Sequence, residues 1–335
     1  MRLVGTNSLT PGDTLAIAVC ATSGKSILNA GVTLTESYIE KLKQLGISKV
    51  YVNDGRFDDV EVIQHLETKT RINAIDVIKD SHDKLHKSKE INEYSLKDIA
   101  KEIVEYVRDC KDKGVCLVAM NAVDDYIIGH SINVAIITAF LGNRMNYNYT
   151  QLCDLVTGAI IHDLGRENTS EEKPEHAQKG FDSMRKCRGM SLHSSIVCYE
   201  HHENFNGTGY PRKITGASIS EFSRVIRVAD VYDSVLHGYG NNNQHAMPHQ
   251  AFEYLIAVSG SILDPEIVMA FRDTIVFYPN GCTVLLSNGL KGVVVRQNQG
   301  SPQRPIIRVY NDINVIGEID LLRSLSLTVR DVIVS

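Results

Sequence analysis

The chain has 335 residues, 43% of them apolar and 22% charged, with a formal net charge of −5. That length holds roughly two or three domains of about 100 to 200 residues with a sizeable core, and the composition is that of an ordinary soluble globular protein. The acidic balance weighs against bulk nucleic acid as a partner, because phosphate-backbone binders carry a basic surplus, but it leaves room for a small anion held by metal ions.

In chain order, Thr14 to Cys20 and Ile47 to Val52 are rich in β-branched and other apolar residues and read as strands. Between them Thr35 can cap a helix that runs through Leu45 and ends at Gly46, which makes a small α/β module. From about Val60 to Asp112 the pattern becomes helical and charged. There Ser95 to Asp98 resembles a capping box, and Leu96, Ile99, Ile103, Val104 and Val107 share one face. From Asp124 to about Asp273 the helical period continues, with stripes at Leu152, Leu155, Val156, Ala159 and Ile160 and at Phe222, Val225, Ile226 and Ala229, as expected of a helical bundle. After Tyr278-Pro279 the period changes to two. Thr283 to Leu286, the turn Asn288-Gly289, Val293 to Arg296, a loop from Gly300 to Pro305 and Ile306 to Tyr310 predict consecutive hairpins. Asn241 to Gln244 reads as a mobile loop. Seven scattered cysteines without a C-x-x-C pair suggest neither a disulfide framework nor a zinc ribbon. No apolar run follows a basic start and none approaches the length of a membrane span, so the expected compartment is the cytoplasm.

The most informative feature is a set of seven side chains, His130, His162, Asp163, His176, His201, His202 and Asp230, within about one hundred residues. Imidazole and carboxylate suit Mn, Fe, Co, Ni or Zn, and an Asp beside a His can bridge two ions through its two oxygens. One ion would leave several of these groups without a purpose. Each piece also has a plainer reading. His162-Asp163 alone could be a satisfied core pair. Asp230, inside the apolar segment Ile226 to Asp233, could be a carboxylate salt-bridged to an arginine.

Taken together, His162-Asp163-Leu164-Gly165, His201-His202-Glu203-Asn204-Phe205-Asn206-Gly207-Thr208-Gly209-Tyr210-Pro211 and Val228-Ala229-Asp230-Val231-Tyr232-Asp233 resemble the HD-GYP family. These are bacterial members of the HD phosphohydrolase superfamily that hydrolyse cyclic di-GMP. The resemblance covers roughly residues 120 to 275, and the opening module and the tail from Tyr278 look like the extra domains of some members. It implies a mainly α fold: an HD-type helical bundle (120–276) behind a helical connector (59–119), flanked by a small N-terminal α/β module (1–58) and a small C-terminal β domain (277–335). Carried over by position, His130, His162, Asp163 and Asp230 would ligate one metal, and Asp163, His176, His201 and His202 the other. His193 competes with His176, because the segment after Gly165 is short for the family. Tyr126 stands where some members place a glutamate for a third metal, so two divalent ions are expected, Fe or Mn first, then Ni, Co or Zn.

The resemblance further implies that a hydroxide bridging the two metals opens cyclic di-GMP to pGpG and onward to GMP, two ions about 3.5 to 4 Å apart being suited to in-line attack. Asp163 and Arg166 would be catalytic, and Arg166, Gly209, Tyr210 and Pro211 would meet the substrate. Two departures bear on this. Arg166 replaces the family's lysine, a planar fork for a compact charge. Leu236 to Asn243 lacks the Arg-Pro-Tyr-Arg-like stretch that holds the dinucleotide in many members. The alternatives are an HD-type hydrolase of another nucleotide or phosphate ester, and a non-catalytic cyclic di-GMP receptor or scaffold. The expected partners are a cyclic dinucleotide and, for the assembly, a second copy or a signalling protein.

Overall fold

The computed structural model describes all residues except 21–25, 48, 63–65, 67, 88, 111–125, 168–173, 239–245, 299, 312–313 and 334–335. The described residues form two compact units, one from Met1–His65 and Ile275–Ser335, the other from Leu66–Val115 and Asp125–Thr274.

The first unit opens with β1 (Arg2–Gly5), β2 (Val19–Cys20), β3 (Ser26–Leu28), α1 (Glu36–Gln44) and β4 (Lys49–Val52), with β4 antiparallel to β1 and β3 to β2. Thr35 caps α1 by accepting from the Tyr38 amide. The strand expected over Thr14 to Cys20 forms only at its end; Thr14 and Leu15 make single bridges to Thr33 and Val52. The tail supplies β5 (Thr283–Leu286), β6 (Lys291–Arg296), β7 (Ile306–Tyr310), β8 (Val315–Asp320) and β9 (Val329–Ile333), an antiparallel sheet in the order β8-β7-β6-β5-β9. The two ends of the chain share this unit. Phe57 and Val60 pack with Val293 and Val295, the Tyr51 hydroxyl donates to the Asn280 carbonyl, and the Arg308 guanidinium pairs with both oxygens of Asp59.

The second unit is helical: α2 (Thr68–His86), α3 (Glu93–Cys110), α4 (Tyr126–Arg144), α5 (Tyr149–Ile161), α6 (Glu175–Met184), α7 (Leu192–Glu200), α8 (Glu221–Leu236), α9 (Pro248–Ala257) and α10 (Pro265–Arg272). The mainly α fold class with a β sheet at its end is therefore what the chain adopts. Helix α3 starts earlier than its sequence suggests. Asn92 accepts from the Tyr94 and Ser95 amides, so this strong cap comes first and Ser95 falls inside the opening turn. Helix α5 sits centrally against α3, α4, α7 and α8. Its residues from Leu155 to Ile161 are all buried, because a helix apolar on every side can only be accommodated in a core. No helix among the described residues is long and apolar enough to cross a membrane. The stretch Asn241 to Gln244 lies outside the described residues.

Leu155 is fully enclosed. Leu155→Ala is expected to cost about 2–5 kcal/mol, read as a lower urea midpoint with an unchanged slope. A cost below about 1 kcal/mol would show that this position is not close-packed.

Candidate metal centre

Five helices of the second unit deliver the seven side chains. His130 lies on α4, His162 and Asp163 follow the end of α5, His176 is on α6, His201 and His202 follow α7, and Asp230 is on α8. All are buried except His202, which is half-buried. Beyond Asp163 the chain turns at Gly165, where a β-carbon would collide with the His176 carbonyl and the Gly180 amide. A glycine there lets α6 approach closely enough to bring His176 to Asp163. His193, its competitor in the sequence, is exposed and packs near the Phe222 ring, away from both groups.

The side chains gather as Asp163, His176, His201 and His202 in one group and His130, His162 and Asp230 in the other, with ligand atoms in each within 4.8 Å of one another. The Asp163 carboxylate faces both groups. Its Oδ1 is 3.4 Å from His176 Nε2 and 3.4 Å from His201 Nε2, while Oδ2 is 3.8 Å from His162 Nε2. In the second group His130 Nε2 is 3.1 Å from Asp230 Oδ1. Ligands at right angles around an ion with bonds of about 2.1 Å lie about 3 Å apart, so these separations suit coordination.

Hydrogen bonds behind the rings support the same use. A carbonyl only accepts, so His162 Nδ1 donates to Ala159 O at 2.7 Å, and His201 Nδ1 donates to Cys198 O at 3.0 Å. In the neutral rings the lone pair is then on Nε2, the atom turned toward Asp163. His162 Nε2 has no hydrogen-bond partner among the described residues. Burial pushes this ring down to about 4, so it is neutral at physiological pH. An enclosed lone pair without a donor is costly, and a divalent cation would satisfy it. His130 Nδ1 meets Asp233 Oδ2 at 2.7 Å, the carboxylate–histidine arrangement that fixes metal ligands, and Asp233 also faces His237. Burial disfavours charge on His130, but Asp230 and Asp233 outweigh it and push the ring up to about 10. Burial likewise opposes ionisation of Asp163, yet His162, His176 and His201 hold its carboxyl well below the usual range. The described residues therefore fit two borderline cations, and a nitrogen-rich donor set of this kind disfavours Mg and Ca.

Two guanidiniums also reach these carboxylates. Arg166 Nη1 donates to Asp163 Oδ2 at 3.1 Å, and Arg227 Nη1 to Asp230 Oδ2 at 2.8 Å. The arginine that a plain buried carboxylate would need is thus present at Asp230, but it leaves Oδ1 to His130. Tyr210 stacks on His202, with ring centroids 4.7 Å apart. The loop carrying Gly209, Tyr210 and Pro211 is folded onto buried Glu203, which accepts from the amides of Arg212, Lys213 and Ile214. At Gly209 a β-carbon would strike the Asn204 amide and the His202 carbonyl. No role was assigned from the sequence to Asp233, Glu203 or Arg227. The spacing Asp230-x-x-Asp233 puts both carboxylates on one helix face and could have exposed the first of these. The side chain of Tyr126 and the residues Tyr239 to Asn243 lie outside the described set.

Two His/Asp groups meet at one aspartate inside a helical bundle, and each group could hold a metal ion. Residues 167–267 match the HD domain family model, a range that begins beyond Asp163 and contains His176, His201, His202, the Gly209 loop and Asp230. The chain is 26% identical over 230 residues to the cyclic di-GMP phosphodiesterase PA4108 of Pseudomonas aeruginosa, covering 64% of this chain and 55% of that protein. It is 32% identical over 126 residues to the cyclic di-GMP phosphodiesterase PdeB of Borreliella burgdorferi, covering 33% of each. Identity to the 3'3'-cGAMP-specific phosphodiesterase 3 of Vibrio cholerae is 25% over 183 residues, covering 50% of this chain and 39% of that one. The chain thus spans about half the length, or less, of these relatives. Over residues 167–267 the chain is similar to HD-domain proteins, and the relatives it matches carry the names of cyclic dinucleotide phosphodiesterases.

Asp233→Asn should weaken binding at one of two metal sites by about 10- to 100-fold in a chelator-competition titration, with a smaller effect at the other. Equal losses at both sites would contradict the placement of Asp233 behind His130 alone.

Proposed function

We propose that the chain is a metal-dependent phosphodiesterase that opens cyclic di-GMP to pGpG and carries it on to GMP. The observation that carries this reading is the Asp163 carboxylate facing two separate groups of imidazole nitrogens. His130, His162, Asp163 and Asp230 would hold one divalent ion and Asp163, His176, His201 and His202 the other, with Fe or Mn as the favoured metals. Such a pair, when bound, acidifies water and neutralises charge on phosphoryl oxygens.

The chain's own residues do the rest. Arg166 keeps a guanidinium beside Asp163, where it can donate to a phosphate oxygen while holding the carboxylate in place. Tyr210, stacked on His202 and presented by the loop that Glu203 braces, offers a ring face to a base. His202 departs from the other rings. Its Nδ1 lies 3.3 Å from Arg227 Nη1, a group that can only donate. Coordination through Nε2 therefore requires that contact to open. The names of the relatives support a cyclic dinucleotide as substrate, and that of the Vibrio relative supports 3'3'-cGAMP as a second one. Action in the cytoplasm is part of the same proposal.

The test is chromatography of products from Mn- and Fe-loaded protein supplied with cyclic di-GMP or 3'3'-cGAMP, alongside elemental analysis. The parent should hold two ions per chain and form linear dinucleotide and then mononucleotide. Asp163→Ala should lose both ions and all turnover. Substrate binding without product from fully loaded parent protein would favour a receptor, and two ions retained by Asp163→Ala would remove the bridging assignment.

A further inference from the structure

Arg227 lies one helical turn before Asp230, and its guanidinium touches three parts of the site at once. Nη1 donates to Asp230 Oδ2 at 2.8 Å and to His202 Nδ1 at 3.3 Å, and Nη2 donates to Asn204 Oδ1 at 3.4 Å. It thereby spans both His/Asp groups and the start of the Gly209 loop. Its side chain is 17% exposed, and Nε is enclosed without a hydrogen-bond partner among the described residues. Two of its three contacts are long, so a donor-rich cation is held at the rim of the site with hydrogen-bonding capacity to spare.

The contact with His202 is the informative one. His162 and His201 turn Nδ1 toward a carbonyl, which leaves the Nε2 lone pair for a cation. His202 turns Nδ1 toward a guanidinium, which never accepts, so the Nδ1 lone pair is engaged and a neutral ring carries its proton on Nε2. Once His202 offers Nε2 to a cation, the neutral ring carries its proton on Nδ1. Donor then faces donor, and the guanidinium must leave. Asp230 Oδ2 still tethers it beside both groups, with one face of the fork released.

We infer that Arg227 is a substrate-binding residue: with cations bound, its guanidinium swings off His202 and donates to a non-bridging phosphate oxygen of a phosphodiester lying over the two groups. This supplies the charge that Tyr239 to Asn243, with no Arg or Lys, lacks in sequence. A planar fork suits two oxygens of one phosphate better than a point charge does. The inference rests on the proposed phosphodiesterase site and names a residue that binds its substrate.

The test uses the full chain, metal-loaded, as parent, Arg227→Gln and Arg227→Lys. Equilibrium binding of inorganic phosphate and of cyclic di-GMP is measured together with KM, kcat and metal content. Both variants should keep two ions per chain. Arg227→Gln should bind both ligands about 10- to 100-fold more weakly, with KM rising more than kcat falls, and Arg227→Lys should recover part of the loss. Unchanged phosphate affinity with metals retained would overturn the inference. So would loss of metal from both variants, which would make Arg227 a pin for Asp230 only. A parent that binds phosphate through Arg227 but ignores cyclic di-GMP would uphold this role and sink the substrate proposed above. A parent that binds neither would overturn both.

Discussion

The structure turns on the charge of one buried aspartate. Asp163 is 2% exposed, and a carboxylate in such a place loses hydration worth several kcal/mol unless opposite charge meets it. Imidazoles from α6 and the ends of α5 and α7 face it, and the guanidinium of Arg166 supplies the fixed positive charge. His162 brings a lone pair rather than a proton, since its Nδ1 donates to a carbonyl and burial keeps the ring neutral. A buried anion beside an enclosed imidazole lone pair is a poor arrangement for a core and a good one for a cation.

Much of the fold serves that arrangement. Helix α5, buried from Leu155 to Ile161, packs against four other helices and ends at His162-Asp163, so these two residues emerge from the centre of the unit. Gly165 then admits the backbone of α6, and Glu203, in accepting three loop amides, holds Tyr210 over His202. Such bracing matters because a ligand or substrate contact displaced by an ångström loses most of its value. Asp233 extends the same logic one layer out by fixing the His130 ring from behind.

The sequence carried the helices well where the apolar period was strong, as on α3, α5 and α8, and the first hairpins of the tail were legible from Asn288-Gly289 and alternation. Strands β8 and β9 were not. Both lie at sheet edges, where Ile316 and Glu318 are exposed and the alternation of inward and outward residues fades. The sharing of one unit by the chain's two ends was also hidden, since long-range pairing such as Arg308 with Asp59 has no local signature. Among site residues, chemistry and order identified the seven convergent His and Asp side chains. The sequence favoured His176 over His193 by family position, and the close approach at Gly165 is what brings His176 to 3.4 Å from Asp163 while His193 stays exposed. The arginine that a salt-bridged Asp230 would need is present on Oδ2, while Oδ1 lies 3.1 Å from His130 Nε2.

The central claim, two cations sharing Asp163, is tested most directly by anomalous diffraction from crystals of Mn- or Fe-loaded protein. Two peaks about 3.5 to 4 Å apart are expected, with one Asp163 oxygen against each. A single peak in fully loaded protein, or two peaks with Asp163 bound to only one, would contradict it.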